Sequence, residues 1–137
     1  MSKISVASFN DLVQAQLPWA AENGIELLSI EAGRAEMCLP YQARSLRPGG
    51  TIAGPHMMML ADACMYAVLL SMIGQVELAV TTQFNINFLR KPGEVDLLAQ
   101  GKMIKLGKRL AVMEVSVYSD EDIVAHATGT YSIPPVD

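Results

Sequence analysis

The stretch G-P-H-M-M-M-L-A-D-A-C-M-Y-A-V-L-L-S-M-I-G, residues 54 to 74, is apolar almost throughout and carries a single carboxylate, Asp62. Pro55 suits the first turn of a helix, where its missing N–H costs nothing, and Gly74 stands where a helix commonly ends on a left-handed residue. The spacing predicts one helix roughly 30 Å long, at about 1.5 Å per residue. A helix apolar on every side has to be covered on every side, by protein or by lipid. Its length would suffice to cross a bilayer, but a carboxylate near mid-helix costs ~2.5–3.5 kcal/mol on insertion scales. No Trp or cluster of Lys and Arg flanks the run closely, apart from Arg47 upstream. The sequence therefore reads as a core helix around which a sheet is wrapped.

On the C-terminal side, Leu78 to Phe88 alternates cleanly. Leu78, Val80, Thr82, Phe84, Ile86 and Phe88 fall on one side, and Ala79, Thr81, Gln83, Asn85 and Asn87 on the other, which predicts a long strand with one polar face. Lys91-Pro92-Gly93 then turns the chain into Val95 to Leu106, Gly107-Lys108 into Arg109 to Tyr118, and Ser119 to Asp122 into Ile123 to Ile133, giving three consecutive antiparallel strands. Their expected buried face is made of Ala111, Met113, Val115 and Val117, with Ala125, Ala127 and Tyr131, and its small residues leave room for a helix.

On the N-terminal side, Tyr41 to Ala53 is rich in Arg, Pro and Gly and reads as a loop. Before it, Ile25 to Ile30 and Arg34 to Leu39 form an expected hairpin through Ala32-Gly33. Ser8 is the expected N-cap of a first helix in which Phe9, Leu12, Val13 and Leu17 recur at helical spacing until Pro18, and this segment, residues 1–24, is expected to pack as a lid. The sum is an α+β order of two strands, one long helix and four strands, with no internal repeat.

A length of 137 residues and 51% hydrophobic composition fit one domain. A formal charge of −4 leaves no electrostatic footprint for nucleic acid or an anionic membrane surface. Cys38 and Cys64 show neither zinc-ligand spacing nor a disulfide framework, and Lys3 to Asp11 is too short and polar for a secretory core, so a reduced, cytoplasmic protein is expected.

The element order, the G-x(7)-D spacing from Gly54 to Asp62, the run V-T-T-Q-F-N-I-N-F-L-R-K-P (80–92) and the closing segment G-K-R-L-A-V-M-E-V-S-V-Y-S-D-E-D-I-V-A-H-A-T-G-T-Y (107–131) together resemble the hot-dog-fold thioesterases, most closely the phenylacetate-pathway (PaaI-like) branch. The resemblance spans roughly Ile25 to Ile133. It implies a curved antiparallel sheet of about six strands round one central helix. It also implies hydrolysis of acyl-CoA thioesters without metal or other cofactor, coenzyme A being part of the substrate. Members act as homodimers or homotetramers with active sites between protomers. The chain departs from the family pattern at two places: Ala53-Gly54-Pro55 stands where relatives carry His-Gly-Gly, and Arg47 stands near the usual loop Asn.

Thioester hydrolysis needs a group that activates water or attacks the carbonyl, and N–H donors aimed at the developing oxyanion. Asp62 can serve as general base or nucleophile, Thr81 can hold the water, and the Gly54 N–H at the helix start can bind the oxyanion. Each has a plainer reading beside it. Asp62 can simply bond buried polar groups, Gly54 can serve a tight turn into the helix, and Thr81 can be one more residue on a wet strand face. His56, on the first helical turn, lines the site or caps the helix, whereas His126 is read as structural. Arg47, Arg90 and Lys91, with Lys108 and Arg109 beside Lys105 at a neighbouring turn, are candidate contacts for the coenzyme A phosphates, or solubilising turn charges. Met57, Met58, Met59, Met65 and Met72 are adaptable core filling or a pliable acyl pocket. Two rival functions remain: a hot-dog dehydratase, which would want a His paired with the helix carboxylate, and a protein that binds an acyl thioester or other apolar ligand without turnover.

Overall fold

The structure is a computed structural model that describes residues 1–43, 46–48, 51–76 and 78–135, without the side chains of Arg47 and Thr51. Arg44, Gly49 and Gly50 of the expected loop lie outside the described residues. Two helices, α1 (Val6–Gln16) and α2 (Pro18–Glu22), precede the hairpin β1 (Glu26–Glu31) and β2 (Arg34–Leu39). A small ribbon, β3 (Leu46–Arg47) with β4 (Thr51–Ile52), leads into α3 (Gly54–Ile73), followed by β5 (Val80–Phe88), β6 (Leu97–Leu106), β7 (Leu110–Ser119) and β8 (Asp122–Ser132). The long helix, the first hairpin and the last three strands stand where the sequence puts them, and the ribbon interrupts what reads as plain loop.

The helix α1 is capped one turn earlier than expected. Ser5, in extended conformation, accepts the Ser8 N–H at 3.0 Å, so Ser5 is the N-cap and Ser8 lies inside the first turn. Serine at both positions makes the two starts look alike in sequence, and the extended backbone at Ser5 decides between them.

One antiparallel sheet has the order β1-β2-β6-β7-β8-β5. The turn after β5 therefore does not make a hairpin with β6. The chain crosses over, and β5 becomes an edge paired only with β8. On the concave face α3 is enclosed, with twelve of its twenty residues buried, which explains a helix apolar all round. Close approach needs missing side chains beneath it. A Cβ on Gly101 of β6 would lie 2.8 Å from Cys64 Sγ and 2.9 Å from Val68 Cγ2, and one on Gly129 of β8 would lie 2.5 Å from Met65 Sδ. The expected buried face of β7 and β8 is buried throughout. The helix ends at Gly74, whose φ of 82° only glycine takes without strain. Cys38 and Cys64 are free thiols.

Candidate active site

Cross-strand partners share a face of a sheet, and the register of β5 on β8 shows which β5 residues meet α3. Phe84 faces Gly129, Ile86 faces Ala127 and Phe88 faces Ala125, so these three lie on the helix side. Strict alternation would send Thr81 to the opposite side with Gln83, Asn85 and Asn87. A β-bulge prevents this. The register shifts between Thr81 and Gln83, so Thr82 is the extra residue and Thr81 sits opposite Tyr131 on the helix side. The expected polar face is thereby corrected: Gln83, Asn85 and Asn87 keep it and Thr81 leaves it.

Thr81 and Tyr131 thus stand side by side under the first half of α3, and both donate to the same atom. Thr81 Oγ1 donates to Asp62 Oδ1 at 2.9 Å, and the Tyr131 hydroxyl donates to Asp62 Oδ1 at 2.7 Å. The Tyr131 oxygen also lies 3.1 Å from the Asp62 carbonyl. Burial, and then the Asp62 charge, push the Tyr131 phenol far above its ordinary pKa, so it remains a donor across the working pH range. Tyr131 stacks on Tyr66 with centroids 6.2 Å apart and an interplanar angle of 14°, which fixes its ring.

Asp62 and Thr81 lie where two cavities meet. One, of about 410 Å³, is walled by Trp19, Pro55, Met58, Met59 and Phe84, and the other, of about 270 Å³, runs past Tyr66 and Tyr131. Trp19, at the start of α2, borders both. The helix methionines divide accordingly. Met57 and Met65 are buried filling, whereas Met58 and Met59 face the larger cavity.

Gly54 opens into a different cleft, of about 500 Å³, with Phe88, Leu89, Arg90 and Lys91. The Phe88 ring is so close that a Cβ on Gly54 would meet it at 3.2 Å, so glycine serves a close approach there. At about 1.5 Å per residue Gly54 and Asp62 are ~12 Å apart along the helix. One chain brings Asp62 and Thr81 together and leaves Gly54 apart. His56 lines none of these cavities; it is half-buried, with Nδ1 buried and without a partner among the described residues. His126 lies on the outer face, opposite Asn87, and contacts Glu114 at 3.1 Å.

The basic residues do not form one group. Arg90, paired with Asp122 at 2.9 Å, follows the end of β5 that meets the start of β8, while Lys108 and Arg109 sit at the turn joined to the end of β8 by the Ile133 N–H to Arg109 carbonyl bond. The nine residues of β5 lie between them, ~30 Å of extended chain at about 3.3 Å per residue. The crossover before β6 places that turn at the far end, which a linear reading of turns misses. Arg47 belongs to β3, and its side chain lies outside the described residues. Among the described residues no group of three or more His, Cys, Asp or Glu is placed to hold a metal ion.

Residues 49–126 match the family described as the Thioesterase superfamily, more than half of the chain. The chain belongs to the thioesterase superfamily. Its six-stranded sheet wrapped round one helix is the hot-dog fold of that superfamily, and membership makes it a hydrolase of the thioesterase and esterase kind. Among solved structures, this superfamily member is 38% identical to a protein of Silicibacter sp. TM1040 named as a putative thioesterase, covering 98% of this chain and 95% of that one with a TM-score of 0.89. It is 25% identical to a mutant of the phenylacetic acid degradation protein PaaI from Thermus thermophilus, covering 85% and 99% with a TM-score of 0.78. A relative named putative esterase SSO1253, from Saccharolobus solfataricus, is 29% identical over 95% of this chain and 86% of its own length.

Sequence reasoning misses two residues of this site. Tyr131 is counted there only as part of an apolar face, although a tyrosine on a buried face needs a partner for its hydroxyl. Trp19 follows Pro18, just beyond the apolar periodicity of Phe9, Leu12, Val13 and Leu17 on which the segment is read.

Proposed function

We propose that the protein hydrolyses acyl-CoA thioesters to the free acid and coenzyme A, in the cytoplasm, with no metal or other cofactor. The observation that carries this reading is the Asp62 carboxylate, held by Thr81 at the junction of two apolar-walled cavities. Asp62 takes a proton from a water held by Thr81, and the water oxygen adds to the thioester carbon. The tetrahedral oxyanion then breaks its C–S bond, and the departing sulfur takes the proton from Asp62, restoring the carboxylate.

An attacking group has to come within ~3–3.5 Å of the carbonyl carbon while a donor lies ~2.7–3.1 Å from its oxygen. The Gly54 N–H of the same chain is too far for that, so the reading pairs Asp62 of one protomer with the Gly54 cleft of a second copy across a two-fold axis. The exposed edge β5 is the proposed seam. Val80 at one end of the strand and Phe88 with the following Leu89 at the other are each about half exposed (54%, 50% and 55%), apolar surface at both ends of an unpaired strand edge that a symmetry mate would cover. Arg90 and Lys91, beside Gly54, are the proposed contacts for the coenzyme A phosphates.

The test is thiol release from acetyl-, hexanoyl-, benzoyl- and palmitoyl-CoA and from an acyl-carrier thioester, by the wild type and by Asp62→Asn. Turnover of at least one acyl-CoA that Asp62→Asn abolishes supports the reading. Equal turnover by both proteins overturns the role of Asp62. The absence of the family's His from Ala53-Gly54-Pro55 favours one second reading, binding without turnover; saturable acyl-CoA binding with no thiol release would establish it. Within one chain neither His lines a cavity at Asp62, so the dehydratase reading would need His56 of a second copy.

A further inference from the structure

A carboxylate that acts on water has two oxygens, and here they are treated differently. Oδ1 accepts from both Thr81 and Tyr131, which uses its two in-plane lone pairs, while no protein donor reaches Oδ2 among the described residues. The phenol has one proton, with two Asp62 oxygens within reach and the Thr81 hydroxyl, a donor, beside it. The shorter, charge-assisted contact at 2.7 Å takes it in preference to the Asp62 carbonyl at 3.1 Å. Tyr131 is 4% exposed and is braced by Tyr66, so its hydroxyl has little freedom to point elsewhere.

Resting on the function proposed above, we propose that Tyr131 is a positioning residue of the hydrolytic site: its hydroxyl anchors Asp62 by Oδ1, sets the rotamer of the carboxylate, and leaves Oδ2 free for the reacting water. Thr81 alone would leave the carboxylate swinging about one weak tether on an exposed edge strand. Tyr131, on the interior strand β8, ties it to the rigid part of the sheet. The elements packed round Asp62 present Thr81 from β5, Trp19 from α2, Tyr66 from α3 itself and Tyr131 from β8. Among the described residues, the cavities at Asp62 are lined by no Lys, Arg, His or second carboxylate. Within one chain the loss of the phenol proton donor is therefore felt at Asp62 without a neighbouring charge, and in the proposed composite site Arg90 and Lys91 of the second copy are the charges nearest to it.

Tyr131→Phe removes one oxygen and keeps the ring. With whichever acyl-CoA of the panel turns over, kcat should fall ~10-fold to ~10²-fold while KM changes by less than about 3-fold. The acid limb of the kcat profile should move to higher pH by about one unit, the scale of a lost charge-assisted hydrogen bond. 3-Fluorotyrosine in place of Tyr131, a stronger donor of nearly the same shape, should move the limb to lower pH. A merely packing role would move neither limb. If Tyr131→Phe melts below the assay temperature, the fluorotyrosine protein decides the matter by itself. Unmoved limbs in a protein that Asp62→Asn still inactivates overturn the role of Tyr131 and leave the proposed function standing. An active Asp62→Asn overturns that function, and this inference with it.

Discussion

The two flanks of the central helix are built to different standards. Toward β6, β7 and β8 the helix is pressed onto glycines and small side chains, with Cys64, Met65 and Val68 fully buried. Toward β5 the sheet ends in a bulged, half-exposed edge, and the gap between strand and helix is where the cavities and Asp62 lie. The same twenty residues thus pack the core from one side and, on the function proposed above, supply the chemistry from the other. A bulge on an edge strand can aim one side chain without disturbing the sheet's interior, because no further strand of the same chain pairs beyond it. The lesson is that a bulged edge strand is the one that carries Thr81, the partner of Asp62.

The contrast can be broken first at its reactive flank. Asp62→Asn should lose ~10²–10⁴-fold in thioester turnover, the usual worth of a positioned base, with a melting temperature close to wild type. Mixing inactive Asp62→Ala chains with inactive Gly54→Trp chains should restore part of that activity, since each mixed dimer holds one intact composite site. Mixed dimers verified by mass that stay as inactive as their parents would remove the shared site.

The packed flank answers to stability. Gly101→Ala should destabilise by ~1–3 kcal/mol, the usual cost of overpacking, because Cys64 and Val68 have little room to turn aside. Gly129→Ala should cost less, since its hardest contact is with the thioether of a flexible Met65 and the Gln83 carbonyl oxygen, at 3.3 Å, has to give by only a few tenths of an ångström. Urea titrations of the two variants check the order, and equal midpoints would mean that the helix shifts as a body.

At the edge, Thr81→Ala should lower turnover by ~10-fold, less than Asp62→Asn, because Tyr131 still holds Oδ1 and a second water can replace the hydroxyl. A loss as large as that of Asp62→Asn would make Thr81 essential. Smallest of all is the outer face. His126 and then Lys102 hold the Glu114 carboxyl below its ordinary pKa, so its contribution to stability is present above the unfolded carboxylate range and is lost as pH falls below that range and through the lowered folded-state pKa. Glu114→Gln should lower the melting temperature slightly at pH 7 and by less as the pH is taken below the carboxylate range.

Much of this fold is legible in the chain because its signals are local. Pro55 and Gly74 bracket a helix whose apolar surface on all sides can only be interior, and Gly33 and the Ser119–Asp122 run mark hairpins by their own chemistry. What escapes is whatever depends on pairing. The side on which Thr81 falls is set by an unpaired Thr82, and one extra residue in a strand leaves the period-two pattern of letters unchanged while reversing every side chain before it. The crossover that separates Arg90 from Lys108 and Arg109 is likewise invisible to a reading of successive turns. Tyr131 is visible as a residue and hidden as a donor, because an alternating pattern records where a side chain points and not what its terminal atom needs.

The glycine contacts under α3 also decide where variety can arise. With the helix seated within van der Waals reach of Gly101 and Gly129, no acyl group can slip beneath it, and a larger substrate cannot be admitted by trimming the interior without loosening the whole sheet. On the proposed function, room in the larger cavity at Asp62 can change along its outer wall, at Trp19, Met58, Met59 and Phe84, where side chains are partly exposed and replacements disturb little. Descendants of this chain that acquire new acyl preferences should therefore differ at those four positions, and keep both glycines.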